Sequence, residues 1–281
     1  MSVLVTGATG SVGGAVARYL VQRGQPVVSA VRDAAHTSVV DGTNAREFDF
    51  ERQTGWSAAL EDVDRVFLLR PPAISNVQAH LLPFIDAALE AGVQHIVFLS
   101  LQGVQFNTAT PHHAVEKYLR QRNAPYTFLR PNFFMQNLST TYRDDIRDRG
   151  EIFVPAARSR TAFVDTDDIG EVAARVLTEV GHLGKAYTLS GEQSLNYYSV
   201  AAQLSEELGF PVLYARPSVD EYVARLRQAG APQDYIDVQK MIYRIVRMNV
   251  SALPNRAVRR LLGRPATTFA QFARREREVW V

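Results

Sequence analysis

The feature that most limits what this chain can fold into is its opening stretch, MSVLVTGATGSVGG, an apolar run that passes straight into a glycine-punctuated turn. Val3, Leu4 and Val5 have the continuous apolar character of a strand buried on both faces of a parallel sheet. Gly7, Gly10 and Gly13 then space a tight turn that opens a helix continuing through Val16, Ala17, Leu20 and Val21. In such a turn the first glycine permits the bend, the second lets backbone approach a pyrophosphate, and the third lets the helix pack on the strand. The positive end of the helix then faces the phosphates. A second strand at residues 27–31 completes a βαβ unit of about 30 residues, the size this dinucleotide-binding arrangement requires. Thr6, Gly7, Thr9, Gly10, Ser11, Val12 and Gly13 are assigned to the cofactor on this basis.

Arg32 closes the second strand, where the adenosine ribose is met. An acidic side chain there accepts from the 2′-hydroxyl of NAD, whereas a guanidinium suits the 2′-phosphate of NADP. NADP(H) is therefore the expected cofactor, with NAD(H) admitted if Asp33 takes the acidic role.

Composition supports a globular protein: 281 residues, 46% apolar and 21% charged. A net charge of +2 is too small to argue for nucleic acid or a membrane surface. The absence of cysteine excludes disulfides, a thiol nucleophile and thiolate metal sites. No apolar run reaches spanning length, and the chain starts on a core strand with no room for a signal peptide, so a cytoplasmic location is expected.

A third strand is expected at residues 46–50, with Asp49 and Phe50 beside the adenine; Asp49 reads equally as an exposed loop carboxylate. A short helix at Trp56–Leu60 and a strand at 65–69 follow, ending where Leu69 and Arg70 are placed to touch the nicotinamide half. Residues 76–91 have helical spacing, with Pro83 marking a kink or the true start. The strand at 95–99 ends at Ser100, and a sixth strand at 126–130 is broken by Pro131 into the cluster Asn132, Phe133, Phe134, Met135 and Asn137. That cluster suits the flat wall of an aromatic-acceptor pocket or the core. The Rossmann-type, doubly wound α/β domain is taken as 1–150. A smaller, partly helical substrate lobe is taken as 151–281, with part of the later chain returning to the main sheet. It holds a capped helix at 167–178, a strand at 186–189, a helix at Tyr197–Leu208 and a strand at 212–215. In residues 219–248 two helices meet at Gly230-Ala231-Pro232, with apolar positions Tyr235, Val238, Ile242, Ile245 and Val246 that cover the substrate cleft or supply a partner contact.

TGATGSVGG, HIVFLS, HHAVEKYL, YTFLRPNFFMQN, FVDTDDIGEVAARVL and GRPATTFAQFA, in that order, resemble the NmrA-like family of the atypical short-chain dehydrogenase/reductase superfamily. The resemblance implies a Rossmann fold with bound NAD(P), and relatives that reduce quinones, dyes or related acceptors, or act as redox-sensing regulators. It further implies that the segment containing Pro131, Asn132 and Phe133 contacts the cofactor, with Phe134, Met135 and Asn137 lining the pocket. The superfamily's common Tyr-x-x-x-Lys pair is missing, since His113 stands four residues before Lys117. A histidine four residues before a glutamate, the family's own pattern, is matched by His112 and Glu116 on one helix face.

Without that tyrosine, the protein mainly has to place the nicotinamide against an electron-poor acceptor, and quinones suit this because their reduced forms take protons from water. Ser100, His112 and His113 are the candidates to assist, each readable instead as a capping or packing residue. No hydrolase elbow, phosphate loop or zinc motif is present, and no metal is expected. The reading is hydride transfer from NADP(H) to a quinone-like or other aromatic small molecule, with no nucleic acid and no membrane. A non-catalytic NAD(P)-binding sensor acting through a protein partner is the alternative. A homodimer stays open, as does an isoflavone-reductase-type activity using Lys117.

Overall fold

The structure, a computed structural model, describes residues 2–281 and divides into two compact units. The first begins with β1 (Ser2–Val5), α1 (Ser11–Gln22), β2 (Val27–Val31), β3 (Asn44–Glu47), α2 (Trp56–Leu60) and β4 (Val63–Leu69). It continues with α3 (Val77–His80), α4 (Leu82–Glu90), β5 (His95–Leu99), α5 (Pro111–Gln121) and β6 (Tyr126–Pro131). The chain then enters the second unit with α6 (Arg143–Arg149), β7 (Glu151–Ile152) and β8 (Arg160–Thr161), and returns to the first with α7 (Thr166–Thr178) and β9 (Lys185–Leu189). Next come β10 (Leu195–Asn196), α8 (Tyr197–Leu208), β11 (Leu213–Tyr214), α9 (Val219–Gln228) and α10 (Gln233–Arg247) in the second unit. Finally, α11 (Ala257–Leu262) lies in the first unit and α12 (Phe269–Arg275) in the second. The first crossing thus follows Pro131 rather than residue 150, and the strand expected in the smaller lobe at 186–189 is β9 of the main sheet.

Seven parallel strands form that sheet in the order β3-β2-β1-β4-β5-β6-β9, the doubly wound arrangement expected. Strand order reverses at β1, so the crevice at the carboxyl ends of β1 and β4 is the topological switch point. Every residue of β2 and β5 is buried, as their mostly apolar sequences VVSAV and HIVFL lead one to expect. The edge strands are more polar: β3 reads NARE and β9 starts with exposed Lys185, which blunts both edges against further pairing.

β3 lies two to three residues earlier than expected. Phe48 and Phe50 leave the strand to pack with Trp56 and Phe84, with ring centroids 4.7 to 6.5 Å apart. The Asp49 carboxylate turns the chain between them, accepting from the backbone N–H of Glu51 at 2.7 Å and Arg52 at 3.0 Å. The helical segment at 76–91 is interrupted at Leu81, and Pro83 falls in the first turn of α4, where its missing N–H costs nothing.

The second unit packs around Met135, Leu138, Ile146, Tyr197, Leu204, Tyr243, Phe269, Phe272 and Trp280. α10 turns only part of its expected apolar positions inward: Val246 is buried and Ile242 packs against the core. Ile236, Gln239, Tyr243 and Val246 are buried, while of the expected positions Tyr235 and Val238 are exposed and Ile242 and Ile245 are half-buried. Among the described residues no helix is long and apolar enough to cross a membrane.

Candidate functional site

The glycine turn separates what the protein needs for itself from what it leaves open. Gly7 adopts φ +66°, and a Cβ on Gly13 would stand 2.1 Å from the Gly7 carbonyl oxygen, so both positions are fixed by the turn's own geometry. Gly10 is different. It has an ordinary φ of −90°, is exposed, and an added Cβ would meet only the Gly7 oxygen at 3.4 Å. The surrounding protein does not demand a glycine here, and its backbone is open to close approach. Gly10 is also the N-cap of α1, which has no side-chain cap and no acid in its first turn. Thr110 caps α5 and Asn196 caps α8, whereas α2, α4, α6 and α10, like α1, have no side-chain cap. The first-turn N–H groups of α1 therefore point outward without a side-chain acceptor, the arrangement that receives a phosphate.

Around this turn the expected contact residues divide. Thr9 and Ser11 are exposed on the turn, whereas Val12 is buried and offers only its backbone. Thr6 is committed to the sheet: its hydroxyl accepts from the Leu69 N–H at 2.8 Å and donates to the Phe67 carbonyl at 3.1 Å, tying β1 to β4. Leu69 in turn lies against Gly7.

Arg32 is exposed directly after β2 and has no partner among the described residues. Asp33 is engaged within its own turn, accepting from the N–H groups of Ala35 and His36 at 3.1 Å and pairing with the His36 imidazole at 2.9 Å. Of the two, it is the Arg32 guanidinium that is left open at the end of β2. Asp49 is held by its turn, and Phe50 is buried in the aromatic cluster. Arg70 secures the loop after β4, donating to the carbonyls of Pro71, Pro72 and Ile74 at 3.0, 3.1 and 2.6 Å. Burial lowers its pKa.

At the carboxyl ends of β5 and β6 the three catalytic candidates have distinct surroundings. Ser100 is buried and donates to Glu116 at 2.7 Å. Glu116, 2% exposed, also accepts both arms of Arg130 at 2.9 and 2.6 Å and the Arg120 guanidinium at 3.2 Å. Ser100 is thus one bond of a closed polar knot joining α5 to β5 and β6. Arg130, the knot's main cation, carries no local sequence signal, because it meets Glu116 through the register of a strand against a helix. His113 has its Nδ1 3.2 Å from the Val104 carbonyl and lines a cleft of about 400 Å³ with Gln78, Thr108, Lys117 and Gln121. His112 lies against Phe98 with ring centroids 6.0 Å apart and has no hydrogen-bond partner among the described residues. Burial, aided by the charge of Arg70, pushes its pKa down to about 3, so its imidazole is neutral at ordinary pH. One helix residue apart, the two histidines do different things.

Pro131 ends β6, and the cluster after it belongs to the second unit. Asn132 is buried, its amide donating to the Ser251 carbonyl at 2.8 Å and its oxygen accepting from the Phe133 N–H at 2.7 Å. Phe133 and Phe134 are half-buried, and Phe134 bridges to Val164. Met135 is 2% exposed and belongs to the second unit's core, while Asn137 is half-buried. Among the described residues no group of three or more His, Asp or Glu side chains is placed to hold a metal ion.

The chain and its fold are similar to those of known proteins. The chain is 32% identical over 283 residues to the NAD(P)H azoreductase of Xenophilus azovorans, covering 97% of this chain and 96% of that protein. The structure of the Citrobacter sp. triphenylmethane reductase complexed with NADP(H) superposes with a TM-score of 0.85 at 25% identity, over 99% of this chain and 100% of that one. The NADPH complex of the Escherichia coli NADPH-dependent quinone oxidoreductase gives a TM-score of 0.84 at 26% identity, over 96% and 98%. The pattern of the NmrA-like family itself extends from the glycine turn to the end of α10, residues 1–247, and the chain therefore belongs to the NmrA-like family.

Proposed function

We propose that this protein is an NADPH-dependent reductase that transfers hydride to a flat aromatic acceptor, a quinone or a dye of the azo or triphenylmethane kind. The observation that carries the reading is Gly10: a glycine with ordinary backbone angles, exposed at an uncapped helix start, serves a ligand and not the fold. The names of the relatives support the acceptor class, and the free Arg32 beside a self-engaged Asp33 supports the 2′-phosphate.

NADPH, when bound, supplies the hydride. The chain supplies binding and orientation. The N–H groups at the start of α1 hold the pyrophosphate, and Arg32 pairs with the 2′-phosphate. His112 offers one N–H and one lone pair from a neutral ring, a hydrogen bond that orients a bound molecule without delivering a proton from imidazolium. Ser100 stays bound to Glu116, so proton supply falls to water, which a quinone tolerates because its reduced anion is stabilised. Phe133 and Phe134, in the second unit, carry half-buried aromatic surface of the kind that suits a flat acceptor.

The test is to follow NADPH oxidation with a panel of quinones and dyes, with NADH alongside. Turnover preferring NADPH is expected. Arg32→Ala removes about 1.5–3 kcal/mol of charge-assisted bonding, a roughly ten- to hundredfold loss of kcat/KM with NADPH and little change with NADH. Clear NADPH binding with no acceptor reduced overturns the reductase reading.

A further inference from the structure

α10 carries two apolar stripes, and only one meets the core. Ile236, Tyr243 and Val246 are buried in the second unit. The other stripe, Val238, Met241, Ile245 and Met248, is spaced by three, four and three residues, the alternation of a helix that packs along another helix. Val238, Met241 and Met248 are 47%, 45% and 67% exposed, and Ile245 is half-buried. Apolar surface in such a row on a soluble protein marks a contact.

The charges beside the stripe say what kind. Asp234 and Asp237 precede the midpoint of residues 240 and 241, and Arg247 and Arg244 follow it at matching distances. Among the described residues neither arginine has an ion-pair partner within the chain, and Asp237 takes one amide hydrogen bond from Gln233. Turning a second copy of α10 end to end about that midpoint sets Asp237 opposite Arg244, twice over, two residues that share one flank of the stripe, while Arg247 lies well round the helix from Asp234. Val238 then meets Met241 of the other copy. A parallel pairing would instead stack like charges. We propose that the exposed stripe of α10 is the interface of a two-fold homodimer, two α10 helices packing antiparallel in this register. The dimer requires neither cofactor nor substrate, so its test is independent of the proposed reaction.

Sedimentation equilibrium on the full chain from about 1 to about 100 μM tests it, a range suited to a small helix-pair interface. The average mass is expected to rise toward twice that of the chain. Met241→Glu should remain monomeric with its thermal midpoint unchanged, because the residue is exposed. Asp237→Arg should raise the dissociation constant at least tenfold, and Asp237→Arg combined with Arg244→Asp should return it to near the original value. A monomer at every concentration, or a dimer indifferent to Met241→Glu, overturns the proposal. Failure of the double charge swap to restore association overturns the antiparallel register.

Discussion

The glycine turn and the Glu116 knot both lie at the carboxyl edge of one parallel sheet, and they handle polar groups in opposite ways. Around Glu116, serine hydroxyl, carboxylate and guanidinium groups satisfy one another, so the arrangement closes on itself. At the start of α1 the donors have no side-chain acceptor, and one glycine is retained that the fold does not need. The contrast shows that buried polar chemistry at the mouth of such a sheet is not by itself a reaction site. A site is recognised by what is left unmatched.

The largest effect is expected from Glu116→Ala. Arg130, whose side chain is 12% exposed, would lose its counter-charge, and urea denaturation should register a loss of about 3–5 kcal/mol. A smaller effect is expected from acid. His95, buried and bonded to Thr127 at 2.8 Å, is pushed down to about 4, first by burial and then by the charges of His182 and Arg65. Its folded value lies below its unfolded value of about 6.5, so the fold favours the neutral ring. The associated stability, about 3 kcal/mol, is complete above pH 6.5 and is lost as pH falls toward 4. Denaturation midpoints taken at pH 7, 5 and 4 should fall, and a His95→Asn variant should show a flatter decline.

Gly10→Ala acts on the open turn instead of the closed knot. Unfolding free energy should stay within about 0.5 kcal/mol of the original, since φ is already accessible to alanine, while NADPH affinity measured by fluorescence titration drops at least tenfold. Unchanged affinity would mean that the open glycine serves no ligand. The mildest change is Ser100→Ala, expected to cost about 1 kcal/mol of stability and to leave turnover within about twofold.

How far the sequence discloses the molecule follows from which physical signals are local. β2, α2, β5 and α8 begin and end where their apolar runs and flanking glycines or polar residues place them, because a buried parallel strand and a capped helix are written in consecutive residues. β3 was misplaced because Phe48 and Phe50 look like strand residues, although their burial comes from Trp56 and Phe84. Of the apolar positions expected on α10, Val246 is buried while Tyr235 and Val238 are exposed, because periodicity does not say which of several helical stripes meets the core. At the site, the glycine spacing and the position of Arg32 after β2 are written in consecutive residues. The structural partners of Thr6, Asp49, Phe50, Arg70 and Ser100, residues expected at a ligand, are not, since they lie across the sheet or in turns that spacing does not specify.

The return of α7 and β9 to the first unit sets a schedule for synthesis. A Cβ on Gly170 of α7 would stand 2.5 Å from the Cβ of Ala15 on α1, so these helices meet at a place where only hydrogen fits. Until residue 189 has left the ribosome, α1 has an uncovered flank and β6 an open edge able to pair with any passing strand. A nascent or truncated chain ending near residue 150 would carry the whole glycine turn and still be prone to aggregate.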